Sequence, residues 1–127
     1  MREILFRGRL KNGLGWAEGN LNIRKNEIAI ITPDETPIGR YGQVDPETIG
    51  QYTGLCDKNG TKIFEGDVIR RKGDFMASNY VIRYIDKYAA FIGMSYGNNE
   101  IYLHRCDADF VVIGNIHDNP ELLEVKE

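Results

Sequence analysis

The sequence predicts a mainly β protein, folded as a small barrel or a strongly bent sheet. Fourteen glycines, with the pairs Asn12-Gly13 and Asn59-Gly60, punctuate short apolar stretches, as tight turns do between strands. Five or more such stretches occur with little between them that reads as helix, which is the pattern of a small all-β domain.

In the first half, Ile4 and Phe6 alternate with Glu3, Leu5 and Arg7. Lys11-Asn12-Gly13 then supplies residues that tolerate positive φ, and Trp16 to Ile23 reads as the returning strand. Glu27 to Thr32 carries the continuous run Ile28-Ala29-Ile30-Ile31, as expected for a strand covered on both faces. From Pro33 to Tyr41 two prolines and no periodicity predict a long loop. Asp45-Pro46-Glu47 joins an N-cap residue to a proline at the first helical position, predicting one helical turn before Ile49.

Asp57-Lys58-Asn59-Gly60 is the clearest turn in the chain, set between Tyr52-Thr53-Gly54-Leu55 and Ile63-Phe64. Four strands are predicted after it, Asp67 to Arg71, Asn79 to Ile85, Ala89 to Ser95 and Phe110 to Asn115, with Glu100 to Leu103 as a fifth. Tyr80, Ile82 and Tyr84 share one strand face. Asn119-Pro120-Glu121-Leu122-Leu123 repeats the cap-then-proline pattern and predicts a short C-terminal helix.

The chain has 127 residues, 42% of them hydrophobic and 28% charged, which suits one ordinary folding unit rather than a disordered chain. No apolar run reaches the roughly 18 residues of a membrane-spanning helix. The opening Met1-Arg2-Glu3-Ile4-Leu5-Phe6-Arg7 is broken by charge too soon for a secretory signal, so a cytoplasmic address is expected, with no membrane partner. In that compartment Cys56 and Cys106 are expected as thiols. A net charge of −3 disfavours coating of nucleic acid by bulk charge. Its distribution is uneven: residues 1–26 carry six Lys/Arg against two acids, and residues 70–90 five against two. Side by side, these stretches would form one positive face.

No phosphate-binding loop, dinucleotide fingerprint or Gly-x-Ser-x-Gly elbow occurs, and no cofactor or catalytic residue is assigned. Glu65-Gly66-Asp67 reads as turn chemistry, because glycine permits a close backbone approach and aspartate bonds its own turn. His104, Cys106, Asp107, Asp109 and His117 are residue types that suit zinc. Their spacing matches no known zinc site, and a polar turn before Phe110 accounts for the aspartates. Cys56 adjoins Asp57, whose charge disfavours a reactive thiolate. Arg70-Arg71-Lys72, followed by a loop carrying Phe75, places basic and apolar groups together as a candidate binding edge. Trp16 joins them as a residue type favoured at interfaces and in base stacking.

Three segments together resemble one family. They are Phe6-Arg7-Gly8 with Gly15-Trp16-Ala17-Glu18-Gly19; Thr48-Ile49-Gly50-Gln51-Tyr52-Thr53-Gly54-Leu55 running through Asp57-Lys58-Asn59-Gly60 to Glu65-Gly66-Asp67-Val68-Ile69; and Val112-Ile113-Gly114-Asn115-Ile116-His117-Asp118-Asn119-Pro120-Glu121-Leu122-Leu123. The chain is similar to the YopX family of phage and prophage proteins over nearly its whole length. Ala17-Glu18 stand where that family carries an aromatic before the second glycine. The resemblance implies an SH3-like barrel in the second half, a bacterial or phage cytoplasmic origin and no assigned activity. It implies a single YopX-like domain over 1–127, with an N-terminal β-hairpin extension and loop over 1–47 and the barrel with its helical turn over 48–127.

The leading expectation is a non-enzymatic module that binds a protein partner or itself, since small barrels expose loops and edge strands. The alternative is a nucleic-acid-binding module using the stretches 1–26 and 70–90. A third reading, a metal-dependent protein built on His104, Cys106 and His117, predicts metal in the purified protein.

Overall fold

The structure is a computed structural model that describes residues 2–32, 40–71, 79–95, 99–103 and 110–123. The chain forms two compact units, Met1–Tyr52 and Thr53–Glu127. Eleven strands are described: β1 (Phe6–Arg9), β2 (Trp16–Arg24), β3 (Glu27–Thr32), β4 (Arg40–Gln43), β5 (Gly50–Cys56), β6 (Lys62–Phe64), β7 (Asp67–Arg71), β8 (Tyr80–Ile85), β9 (Ala90–Ser95), β10 (Glu100–Tyr102) and β11 (Phe110–Asn115). The remaining regular structure is short 3-10 turns, including Pro46–Thr48, Asp86–Tyr88 and Pro120–Leu123.

In the first unit β1 to β4 form an antiparallel meander, and the start of β5 pairs with the other side of β1, Phe6 opposite Gln51 and Arg7 opposite Gly50. The meander curls back on itself. An isolated bridge joins Leu10 to Val44, Lys11 N–H donates to Gln43 O at 3.0 Å and Asp45 N–H donates to Arg9 O at 2.9 Å. Two glycines make the curl possible. A Cβ on Gly8 would lie 2.8 Å from Val44 Cβ, and one on Gly42 would lie 2.5 Å from Leu10 Cδ2, so each glycine leaves room for the apolar side chain that closes over it. Ala29, Ile30 and Val44 are fully buried, and the two-sided cover expected for β3 is present.

The 3-10 turn Pro46–Thr48 forms as the sequence predicts. Asp45 Oδ1 accepts the Glu47 N–H, and Pro46 occupies the first position, where its missing N–H costs nothing. Thr48 then ties the turn to β1: its hydroxyl donates to Asp45 O at 2.7 Å and accepts the Arg9 N–H at 2.8 Å.

In the second unit β7 to β11 form a sheet of order β10-β9-β8-β7-β11, and β6 pairs with the continuation of β5. Ile63, Ile69, Ile82, Leu103 and Phe110 make the core, with Tyr80, Phe91 and Val112 packed against it. Burying each large side chain contributes about 2 kcal/mol. Tyr80 meets Phe110 edge to face at 6.1 Å, and Tyr84 meets its cross-strand partner Phe91 at 5.3 Å. At Gly66, φ is +86°, a conformation that favours glycine. Around that turn the Asp67 carboxylate accepts the Phe64 N–H at 2.7 Å.

The strands Glu27–Thr32, Asp67–Arg71 and Phe110–Asn115 have the bounds read from the sequence. Two expectations are corrected. The mainly β class holds, as two antiparallel sheets of six and five strands, but neither closes into a barrel among the described residues. Of the expected loop over 33–41, residues 33–39 lie outside the described residues, while Arg40 and Tyr41 open β4. Arg40-Tyr41-Gly42-Gln43 has no apolar alternation, and its strand conformation comes from pairing with β3 and from Leu10 lying over Gly42.

Candidate partner-binding cleft

The turn between β1 and β2 is held by its own backbone. Leu10 N–H donates to Gly15 O at 2.8 Å and Gly13 N–H to Leu10 O at 3.2 Å, while Asn12 Oδ1 accepts the Leu14 N–H at 2.9 Å. Gly13 and Gly15 both take positive φ, +80° and +98°. The chain therefore turns tightly with Leu14 between them, and that leucine is 79% exposed. An apolar side chain on a fixed turn pays little ordering entropy when a partner covers it.

Behind this turn a cleft of about 550 Å³ opens in the first unit. Leu10, Leu14, Trp16, Ile30, Thr32 and Tyr41 are among its walls. The register places Ala17, Ile30 and Gly42 on one sheet face, and Ile30 is fully buried. Thr32 fastens β3 to β2 by donating its hydroxyl to Glu18 O at 2.9 Å. Trp16 stands opposite Arg9 in the ladder, and the guanidiniums of Arg7 and Arg9 lie 5.0 and 5.4 Å from its ring centroid. A base stacking on that indole would compete with these cation–π contacts.

On β4, Tyr41 donates its hydroxyl to Glu27 Oε1, and Gln43 Nε2 donates to Glu27 Oε2 at 2.5 Å. The Tyr41 bond, with help from Gln43, Arg24 and Lys11, holds the Glu27 carboxyl below its ordinary range, and donating to that carboxylate pushes the Tyr41 phenol up.

The residues singled out from the sequence fall in different places. Trp16 lines the cleft. Arg70 and Arg71 are exposed at the end of β7 and take part in the fold of the second unit. Arg70 Nε donates to Asn79 Oδ1 at 2.8 Å, whose Nδ2 donates to Leu122 O at 2.7 Å. The Arg71 guanidinium lies 5.5 Å from the Phe110 ring centroid. Lys72 and Phe75 lie outside the described residues, as do His104, Cys106, Asp107 and Asp109. His117 lies in the turn after β11, its N–H donating to Asn115 Oδ1 at 3.0 Å. No group of three His, Cys, Asp or Glu suited to a metal occurs among the described residues. Cys56 is exposed at the end of β5. The basic stretches 1–26 and 70–90 belong to separate compact units. No helix among the described residues is long and apolar enough to cross a membrane.

Leu14, Tyr41 and Glu27 were not singled out from the sequence. For Leu14 a signal exists, an apolar residue between two glycines in a turn; Tyr41 and Glu27 acquire meaning only when β4 pairs with β3.

The architecture is thus that of an all-β protein of two compact units, the first a curled meander with an apolar cleft at its β1–β2 turn. The chain belongs to the YopX family: the family description "YopX protein" matches residues 6–124. Among solved structures it is similar to the crystal structure of protein EF1440 from Enterococcus faecalis, with 31% identity and a TM-score of 0.65 over 98% of this chain and 100% of that one. The comparison with curated proteins found no match.

Proposed function

We propose that the protein is a non-enzymatic phage or prophage binding module that seats an apolar segment of a protein partner in the cleft of its first unit. The observation that carries this reading is the exposed Leu14 on a hydrogen-bonded turn beside an apolar cleft of about 550 Å³. Exposed apolar groups rimming a concave site mark interaction surfaces. The test is cross-linked co-purification of tagged wild-type protein and the variant Leu14→Asp from the same cells. Leu14 is exposed, so the variant folds, and a partner recovered with wild type is lost or much reduced. Equal recovery with both proteins sinks the cleft as the site. Self-association through the same surface would appear in light scattering as a dimer that Leu14→Asp dissociates.

A second reading, nucleic-acid binding, is supported by the cluster of Arg7, Arg9 and Trp16 on one face of the β1–β2 hairpin. It predicts affinity for single-stranded nucleic acid that falls with salt. Charge reversal at Arg7 and Arg9 weakens it if the first basic stretch is the site, and reversal at Arg70, Arg71 and Lys72 if the second is. No binding at low salt removes this reading.

We further read the second unit as SH3-like. What supports this is its strand order, a four-strand meander whose first strand also takes the last strand on its other side, with a register shift between Val112 and Gly114 of the kind that bends a strand.

A further inference from the structure

The structure assigns to Glu27 the role of a latch that holds strand β4, one wall of the cleft, onto β3. The strand needs one. It is four residues long, carries a glycine at its centre and ends the strand order of its sheet. Its hydrogen bonds to the end of β1 run through Gln43 and Asp45, so, apart from Leu10 lying over Gly42, the stretch Arg40–Gly42 depends on its ladder with Ile30–Thr32. Glu27 sits at the far end of β3 from that stretch, and its two carboxylate oxygens accept from Tyr41 and Gln43, side chains two residues apart on β4. One charged group thereby clamps two positions of a strand whose apolar content is slight. Such contacts are stronger with an ionised acceptor than with a neutral one.

The groups around the carboxylate agree with this role. Tyr41 and Gln43 face it from β4, Arg24 is its register partner on β2, and Lys11 reaches it electrostatically from the β1–β2 turn. All four favour the charged form. Protonation removes the charge and leaves the Tyr41 hydroxyl with a weaker acceptor. The inference concerns the strand itself and needs no partner in the cleft, so it stands or falls separately from the proposed function.

The test is amide hydrogen exchange, read as protection factors, on wild type, Glu27→Gln and Tyr41→Phe. Because the clamp is solvent-exposed, the expected effect is modest, about a 2- to 5-fold loss of protection in both variants at Gly42, whose N–H lies on the same side of β4 as the Val44 N–H that donates to Ile28 O. The amides of β8 and β9 serve as the control and stay unchanged. Wild type shows the same loss when the pH falls through the titration of Glu27, whereas Glu27→Gln does not respond. Unchanged protection of Gly42 in Glu27→Gln at neutral pH overturns the latch, as does an acid response that persists in that variant.

Discussion

Asp57 offers the sharpest test of how the second unit is held together. Its carboxylate is almost wholly buried. Oδ1 accepts the N–H groups of Asn59 and Thr61, both at 2.9 Å, and Oδ2 accepts the N–H of Val112 at 2.9 Å. The first two close the β5–β6 turn. The third reaches the outer edge of β11, where Lys58 N–H also donates to Phe110 O at 3.1 Å, so the turn caps an edge that β7 leaves open. Replacing Asp57 with Ala removes three bonds at about 1 kcal/mol each, somewhat more because the acceptor is charged, and strands the Val112 N–H, for a total of about 3–4 kcal/mol. That is a large part of the roughly 5–15 kcal/mol available to a domain. Asp57→Asn keeps one acceptor oxygen and turns an amide N–H toward a backbone donor, costing about 2 kcal/mol. Urea unfolding followed by circular dichroism measures both, and the alanine variant should melt roughly 10 °C lower. A cost below about 1 kcal/mol for Asp57→Ala would refute the view that this carboxylate organises the turn and the β11 edge.

Gly66→Ala forces a side chain into φ +86° and should cost about 1–2 kcal/mol in thermal unfolding; a neutral effect would mean the turn relaxes at little expense. Gly8→Ala drives a methyl to 2.8 Å from Val44 Cβ and should destabilise by about 1–3 kcal/mol. Adding Val44→Ala, which keeps the Cβ but removes the two Cγ atoms 3.0 Å from that methyl, should recover part of the loss, and strict additivity in the double-mutant cycle would contradict the packing. The stability gap between wild type and Glu27→Gln should depend on pH with a definite sign. The Glu27 carboxyl is held below its ordinary value of 4.5, so its contribution is present above that value and fades as the pH falls through the lowered one. The Tyr41 phenol is pushed above 10.0, so its contribution is present below that pH and is lost as the pH rises through the raised value. Denaturation midpoints across the pH range should show the gap narrowing at both ends, and a gap that stays constant would contradict the pairing.

Much of the strand order was legible because its determinants are local. The Asp45 cap, the Asp57 turn and the Glu65-Gly66-Asp67 turn each rest on a side chain bonding backbone within a few residues, and such chemistry is written in adjacent positions. Phe110 to Asn115 reads as a strand from its apolar run, yet the register shift between Val112 and Gly114 depends on the partner strand and leaves no local mark. The curl of the first unit was hidden for the same reason. It requires Gly8 to meet Val44 and Gly42 to meet Leu10, residues more than thirty apart, and neither glycine differs in sequence context from one in an ordinary turn.

The candidate site was harder to see because the residue types that suggest binding are the ones the fold also uses. Arg71 reads as an exposed cation, but its guanidinium lies over Phe110, and Arg70 bonds the Asn79 that anchors Leu122. Trp16 reads as a stacking platform, but Arg7 and Arg9 already sit against its ring. Counting charge along the chain cannot separate these uses, since a cation–π contact and a phosphate contact ask for the same side chain. Leu14 differs from all of them. It is apolar, exposed and carried by a turn whose hydrogen bonds need nothing from its side chain, so no requirement of its own fold accounts for a leucine there. An exposed apolar residue that the fold does not use supports the proposed cleft at the β1–β2 turn more directly than an arginine that the fold has already engaged at the end of β7.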